Sequence, residues 1–488
     1  MASGLLVIAL FLPLFTGLTA GDMRKAGRTF RRYIVWLLSF EVLAVLALVV
    51  GGQGTVLPLL KVAGGLQLVL RVDAMGSLFA VVFSIIWLLV AVFGFEYMAH
   101  EGKSQRFYLF YICTLSALIG VCFAANMATL YMFFEMMALL TVPLIIHSGT
   151  EDSYMATLKY LGYSIFGAGL GLLGIFFLAP YGGIGSFVAG GNLDPALLAG
   201  HEELALAMYF VAIIGFGCKA GLLPLHAWLP TAHPVAPSPA SAVLSGIITK
   251  AGVLAILRMT YFVFPAELLR GSWVQAALLI LAICTVFTGS MLAYKEKLLK
   301  RRLAYSTVSQ VSYVLFGIFL LHPVALLGAL LQFIYHALAK NILFLSAGAI
   351  IMKTHHTTVD KFSGLGRRMP LMMGAFTVAS LSLVGIPPCG GFVSKWYLCV
   401  GALDSVTPLI GMVGMVVLMV SALLTAGYLL PLVIAAFFPG RDVEVKRDLL
   451  PESMSVPLVI LALLVVCLGL GAGWLAQPLN AIVATLFA

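Results

Sequence analysis

Charge is what this chain has least of. Only 10% of its 488 residues are Asp, Glu, Lys or Arg, against about 25% in soluble domains. That excludes a soluble globular enzyme, a disordered chain and a collagen-like one. Cysteine is sparse too. Cys113, Cys122, Cys218, Cys284, Cys389, Cys399 and Cys467 all lie in apolar stretches without CxxC or Cys/His spacing, so no disulfide scaffold, zinc site or iron–sulfur site is expected in this chain. Walker A, helix-opening GxGxxG and HExxH motifs are missing, so a nucleotide bound here is not the energy source. No loop exceeds about 20 residues, leaving no room for a catalytic domain, and no catalytic residue or metal ligand is assigned. The period-two alternation of a β-barrel is missing as well.

What is present is apolar sequence, 62% of the chain, in blocks near the 20 residues that cross about 30 Å of hydrocarbon as a helix. The chain reads as an all-α polytopic membrane protein of about fourteen transmembrane helices. The spans fall near 3–20, 33–52, 73–97, 107–124, 127–148, 156–180, 203–231, 240–263, 273–293, 302–321, 324–352, 370–402, 407–438 and 454–486. Several exceed the needed length and must tilt, break or extend. Residues 1–20 are apolar and then basic, the reverse of a signal peptide's order, and read as the first span. Lys and Arg gather in odd-numbered loops, at Arg24, Lys25, Arg28, Arg31, Arg32, Lys103, Arg106, Lys295–Arg302, Lys353, Lys361, Arg367, Arg368, Arg441, Lys446 and Arg447. Even-numbered loops carry Lys61, Arg71 and Arg270. By the positive-inside rule both termini face away from the cytoplasm across the inner (cytoplasmic) membrane. The net charge of +9 is spent on topology, not on nucleic acid.

Charges inside spans are costly, about 2.5–3.5 kcal/mol each at the bilayer centre, and so mark function. Glu135 lies mid-span in Tyr131-Met132-Phe133-Phe134-Glu135-Met136-Met137; it reads as a titrating carboxylate paired with a lysine of another span, against a protonated core glutamate. Lys219 sits between Gly215-Phe216-Gly217-Cys218 and Ala220-Gly221-Leu222-Leu223-Pro224, where Pro224 should break the helix near 221–224. Irregular backbone at that depth needs protein or water around it. Lys250 is again mid-span. Between the two lysines, five prolines in residues 224–239 predict a stiff connection without regular helix near the cytoplasmic surface. Its His226 and His233 are candidates for proton uptake. His336 and Lys340, spaced i, i+4, project from one helix face. Lys395 follows Gly385-Ile386-Pro387-Pro388-Cys389-Gly390-Gly391, which predicts a second broken span. Glu135, Lys219, Lys250, His336, Lys340 and Lys395 thus form a mid-membrane set suited to proton relay. Lys159 reads as snorkelling, Arg258 as interfacial and Lys295–Arg302 as a topological or lipid-facing cluster. His355-His356 is a plain loop pair, and Glu41 is buried without a role.

The run Gly217-Cys218-Lys219-Ala220-Gly221-Leu222-Leu223-Pro224-Leu225-His226-Ala227-Trp228-Leu229-Pro230, with Ala232-His233 and Thr249-Lys250-Ala251-Gly252, resembles the antiporter-like, proton-translocating membrane subunits. These occur in respiratory complex I, membrane-bound energy-converting hydrogenases and Mrp-type Na+/H+ antiporters. The resemblance recurs at Glu135, at His336-Ala337-Leu338-Ala339-Lys340, and at Gly385-Ile386-Pro387-Pro388 with Lys395. It implies two inverted five-helix repeats, spans four to eight (107–263) and nine to thirteen (273–438), flanked by 1–106 and 454–488, with spans seven and twelve broken. It implies a Glu135–Lys219 pair, Lys250 bridging toward the second half, and Lys395 as the exit-side group. Lysine at 395 argues against the glutamate-bearing complex I type, and the chain lacks the lateral helix of the largest complex I member. Two functions follow. One is the pumping subunit of a redox-driven complex, either complex I-like or a membrane-bound hydrogenase. Other membrane subunits and peripheral redox subunits would be its partners, and those partners would hold the Fe–S, Ni–Fe or flavin groups. The other is the D-type subunit of an Mrp Na+/H+ antiporter, where Na+ joins the protons. The Ala-His-Pro-Val-Ala-Pro-Ser stretch favours the first. An inert membrane scaffold is the third reading.

Overall fold

A chain this apolar satisfies its backbone inside helices, and the computed structural model is built that way. It describes residues 2–22, 27–62, 66–439 and 447–487; of the basic loop residues named above, Arg24, Lys25, Arg441 and Lys446 lie outside them. The principal helices are α1 (Ala2–Asp22), α2 (Arg28–Gly51), α3 (Ala74–Glu101), α4 (Ser104–Cys122), α5 (Met127–Ile145) and α6 (Glu151–Leu178). Next come α7 (Glu202–Ala220), α8 (Leu229–Val235) and α9 (Ser238–Val263). The second half holds α10 (Trp273–Lys295), α11 (Leu299–Phe319), α12 (Pro323–Thr354), α13 (Pro370–Val384), α14 (Gly390–Leu403) and α15 (Pro408–Phe437), followed by α16 (Glu452–Leu470) and α17 (Ala472–Phe487). Helix is present at all fourteen expected positions. Twelve helices among the described residues are long and apolar enough to cross a membrane. The other two positions are α11, which opens on Lys300, Arg301 and Arg302, and the divided pair α13/α14.

Two expectations need correction. Residues 224–239 are not free of helix: α8 forms within them, because Pro230 falls in its first turn, where no N–H is needed. The interval between α2 and α3 is not plain loop either. Val56–Lys61 (β1) and Gln67–Arg71 (β2) pair antiparallel as a hairpin, whose residue Leu70 bridges to Ala124.

The odd-numbered loops meet one another at one end of the bundle. His147 Nε2 lies 3.1 Å from the carbonyl of Gly102, the Leu299 N–H donates to Thr357 at 2.9 Å, and Lys300 donates to Ala236 O at 2.8 Å. Lys353 and Arg368 both reach Asp448 at 3.1 Å. At the other end, Arg71 donates to Phe187 O at 2.7 Å, and Arg270 to Leu321 O at 3.3 Å. Two helices form the core: the most apolar stretch of α9 is wholly buried and that of α12 is 94% buried, against 28% for α1 and α15. The costly charges sit on or beside these two.

Candidate functional site: a buried lysine axis

Both expected breaks form, and each ends its first half-helix on a left-handed glycine, Gly221 at φ +84° and Gly385 at φ +93°. Glycine suits that conformation because it has no Cβ to clash. A helix that stops inside the bundle leaves carbonyls without partners and the negative end of its dipole exposed. Each break meets that end with an ammonium. Lys395, on α14, reaches back to donate to Leu383 O and to Val384 O, in the last turn of α13. Lys219 lies in the last turn of α7 itself. The Trp228 indole N–H closes this first break on Cys218 O at 2.8 Å.

Lys219 is buried but does not pair with Glu135. Its Nζ donates to Tyr160 Oη at 2.9 Å and Ser164 Oγ at 3.1 Å and lies 4.5 Å from the centre of the Tyr160 ring. The Tyr160 hydroxyl in turn donates to Ala138 O of α5 at 3.0 Å. Tyr160 thus stands between the lysine and the helix that bears the carboxylate, and Glu135 Oε1 is buried with no partner. Lys250 is fully buried just past a π-helical turn, Leu244–Ile248. Its Nζ donates to Ser245 O at 2.5 Å and Thr249 Oγ1 at 3.3 Å. Lys340 donates to Leu303 O at 3.0 Å. His336 is fully buried with neither ring nitrogen partnered.

Neutral side chains join these groups. Ser245 Oγ and Thr307 Oγ1 are 2.6 Å apart, and Thr307 shares with Lys340 the acceptor Leu303 O. One turn on, Gln310 Oε1 accepts from Gln332 Nε2 at 2.9 Å. Gln332 Oε1 accepts from Ser394 Oγ at 2.6 Å, and Ser394 adjoins Lys395. A polar line therefore runs from Lys250 past Lys340 to Lys395. The sequence reading overlooked its hydroxyls and amides, although Ser306, Thr307, Ser309, Gln310 and Ser312 crowd one span.

The uptake candidates separate. His226 is half-buried and lines a cavity of 170 Å³ with Lys159, Thr231 and Arg301. His233 is fully buried, unpartnered at both nitrogens and stacked on Phe344 at 4.7 Å. Arg258 is not interfacial but fully buried, bidentate to Asp73 at 2.7 Å for both bonds and close over the rings of Phe187 and Phe262. The basic cluster is partly structural, since Lys300 and Arg302 are buried on the carbonyls of Ala236 and Tyr428. Lys159 is exposed and bonded to Thr231 at 3.0 Å. Glu41 is fully buried with both carboxylate oxygens unpartnered. Among the described residues no three His, Cys, Asp or Glu side chains gather as metal ligands.

Known proteins share this plan. The family described as "NADH:quinone oxidoreductase/Mrp antiporter, TM" matches residues 124–425. The N-terminal family of complex I chain 5 matches residues 62–108. The chain is 35% identical over 410 residues to NADH-quinone oxidoreductase subunit N of Desulforudis audaxviator, covering 78% of this chain and 79% of that one. It is 31% identical over 446 residues to hydrogenase-4 component B of Escherichia coli, covering 85% of this chain and 64% of the relative. A chain of the Mrp complex from a Dietzia species superposes with TM-score 0.84 at 22% identity, covering 100% of this chain and 97% of that one. The matched region takes in both broken spans and every lysine of the buried line, and the chain belongs to the NADH:quinone oxidoreductase/Mrp antiporter family of membrane subunits.

Proposed function

We propose that this chain is the proton-translocating, antiporter-like subunit of a redox-driven ion-pumping complex, complex I-like or a membrane-bound hydrogenase. The observation that carries the reading is the polar line through the two most buried helices, with lysines from four spans along it. Ammonium groups so placed are too costly to keep for packing alone, and each has a neutral donor or acceptor able to pass a proton on. In this reading Lys219 takes a proton through Tyr160 and Ser164, and Lys250 hands it across the Ser245–Thr307 contact. Lys340 and His336 hold it at the centre, and Lys395 releases it. Loading one lysine repels the charge on the next and shifts its proton affinity, which makes the transfer sequential. Glu135 sets the charge at the Lys219 end.

The redox assignment rests on the two relatives of 30% identity or more, both from oxidoreductase complexes by name. Redox groups would then belong to partner chains. Two breaks, each capped by a lysine, support paired inverted repeats at 107–263 and 273–438, with 1–106 and 454–488 outside them and fourteen crossings in all. The basic end would face the cytoplasm and both termini the other side of the inner membrane.

The test is a gentle-detergent purification of the tagged chain from its native membrane, with co-purifying subunits identified by mass spectrometry and metals assayed. Stoichiometric iron–sulfur subunits are expected, and nickel would specify a hydrogenase. Only small, metal-free membrane partners would overturn the redox reading in favour of an Na+/H+ antiporter.

A further inference from the structure

At the basic end, α6, α8 and α11 enclose an open cavity of 810 Å³ whose wall carries Lys159, Thr231, Arg301 and Asp152 beside apolar Met155 and Leu158. Lys159 and Arg301 are under-used. Among the described residues, the hydrogen bond of Lys159 Nζ goes to Thr231 Oγ1, which itself donates to Ala227 O. Two ammonium protons therefore remain. The charged neighbour of Arg301 is Glu296 at 3.8 Å, too far for a hydrogen bond. Two cations with spare donors at the edge of the hydrocarbon call for an anion.

The surface leading away from this cavity indicates what the anion is attached to. Along α6, Met155, Leu158, Ile165, Leu173 and Phe176 are all exposed, at spacings that keep them on one side of the helix. On the same side, Gly162 and Gly169 have open space where a Cβ would stand. The result is a shallow apolar furrow starting at Lys159. From residue 158 to 169 it runs about 16 Å at 1.5 Å per residue, roughly the depth of one leaflet. A soluble anion would have no use for it.

We infer that Lys159, Thr231 and Arg301 hold the headgroup phosphate of an anionic phospholipid whose acyl chain lies in the α6 furrow. Basic pockets between helices at the cytoplasmic side are suited to such headgroups. The bound lipid would tie the broken span, through α8, to α6 on one side and α11 on the other.

The test uses the intact complex, delipidated and then offered phosphatidylglycerol or phosphatidylcholine of identical chains, with retained lipid counted by native mass spectrometry. The expected result is a preference for phosphatidylglycerol of about tenfold, one factor of ten per 1.4 kcal/mol. That preference is lost in Lys159→Ala/Arg301→Ala and unchanged in Lys297→Ala, whose lysine does not line the cavity. Gly162→Phe fills the furrow but leaves both cations, so it should lower lipid retention on its own; it decides the question if the double variant fails to assemble. Equal retention of the two lipids overturns the proposal. So does retention untouched by both variants, which would mean a partner helix covers this face. Inorganic phosphate displacing nothing supports the lipid; phosphate binding equally to wild type and Gly162→Phe, without lipid preference, would make this a soluble-anion site.

Discussion

Tyr160 separates two charges that the sequence alone would join. A lysine and a glutamate alone in adjacent spans invite a salt bridge, yet the tyrosine hydroxyl takes the ammonium and passes its own proton to a carbonyl of the glutamate helix. Only the packing of α6 against α7 shows this, because tyrosine in an apolar span has no signature of its own. Replacing Lys219 by Met should leave assembly intact and lower proton pumping in inverted vesicles by about a hundredfold, the lower range for losing a positioned acid–base group. Normal pumping in an assembled complex would sink the relay and restore the scaffold reading. Tyr160→Phe should slow pumping less, since Ser164 still binds the lysine. The Asp73–Arg258 pair belongs at the same scale. Asp73→Asn leaves a fully buried guanidinium without its counter-charge, a loss of about 3–5 kcal/mol, visible as poor assembly or a large fall in thermal midpoint. The sequence placed Arg258 near a span end but had no means to pair residues 185 positions apart.

At the scale of elements, the two breaks were legible because proline and glycine act locally. The hairpin was not, since its alternating exposure is too short to stand out between two spans. The hydroxyl-rich α11 was legible in composition but carried no weight, because serine and threonine in a span ordinarily bond their own helix. Thr307 does so and also meets Ser245. Thr307→Val keeps the volume and removes the meeting. It should cost about 1–3 kcal/mol through the stranded Ser245 hydroxyl and slow pumping several-fold; unchanged pumping would remove this contact from the route. The second break depends on close approach: a Cβ on Gly391 would stand 1.8 Å from Ser382 O. Gly391→Ala should therefore force α13 and α14 apart, at about 1–3 kcal/mol, and displace Lys395 from the α13 carbonyls. Wild-type pumping in that variant would show that the lysine needs no such seat.

For the whole molecule, alternation of charge along the sequence was enough to sort the loops onto two ends, because each crossing reverses the chain. What holds one end together was hidden. Asp448 binds Lys353 and Arg368 and so joins the loops after α12 and α15. Its partial burial favours the neutral acid, but hydrogen bonds from the two cations outweigh that and hold its carboxyl below the usual carboxylate range. The stabilisation is therefore present above the ordinary carboxylate pKa of about 3.9 and lost as pH falls through the lower folded value. Being largely solvated, it is worth under about 1 kcal/mol. Thermal melts should place Asp448→Asn slightly below wild type at pH 7, with the gap closing under strong acid. A gap that widened on acidification would contradict the assignment.

One wide turn in α9 has a genetic consequence. The π-helical segment Leu244–Ile248 holds one residue more than an α-helix needs for the same path. A single in-frame codon deletion there would let the helix close up as ordinary α. It would remove no charge and hardly change the hydrophobic length of the span, so membrane insertion would proceed as before. Everything beyond the deletion would nonetheless turn by about 100° relative to what precedes it, carrying Lys250 off the Ser245 side of the helix. A screen that deletes one codon at a time should find this segment dense in proteins that are made and inserted normally and move no protons.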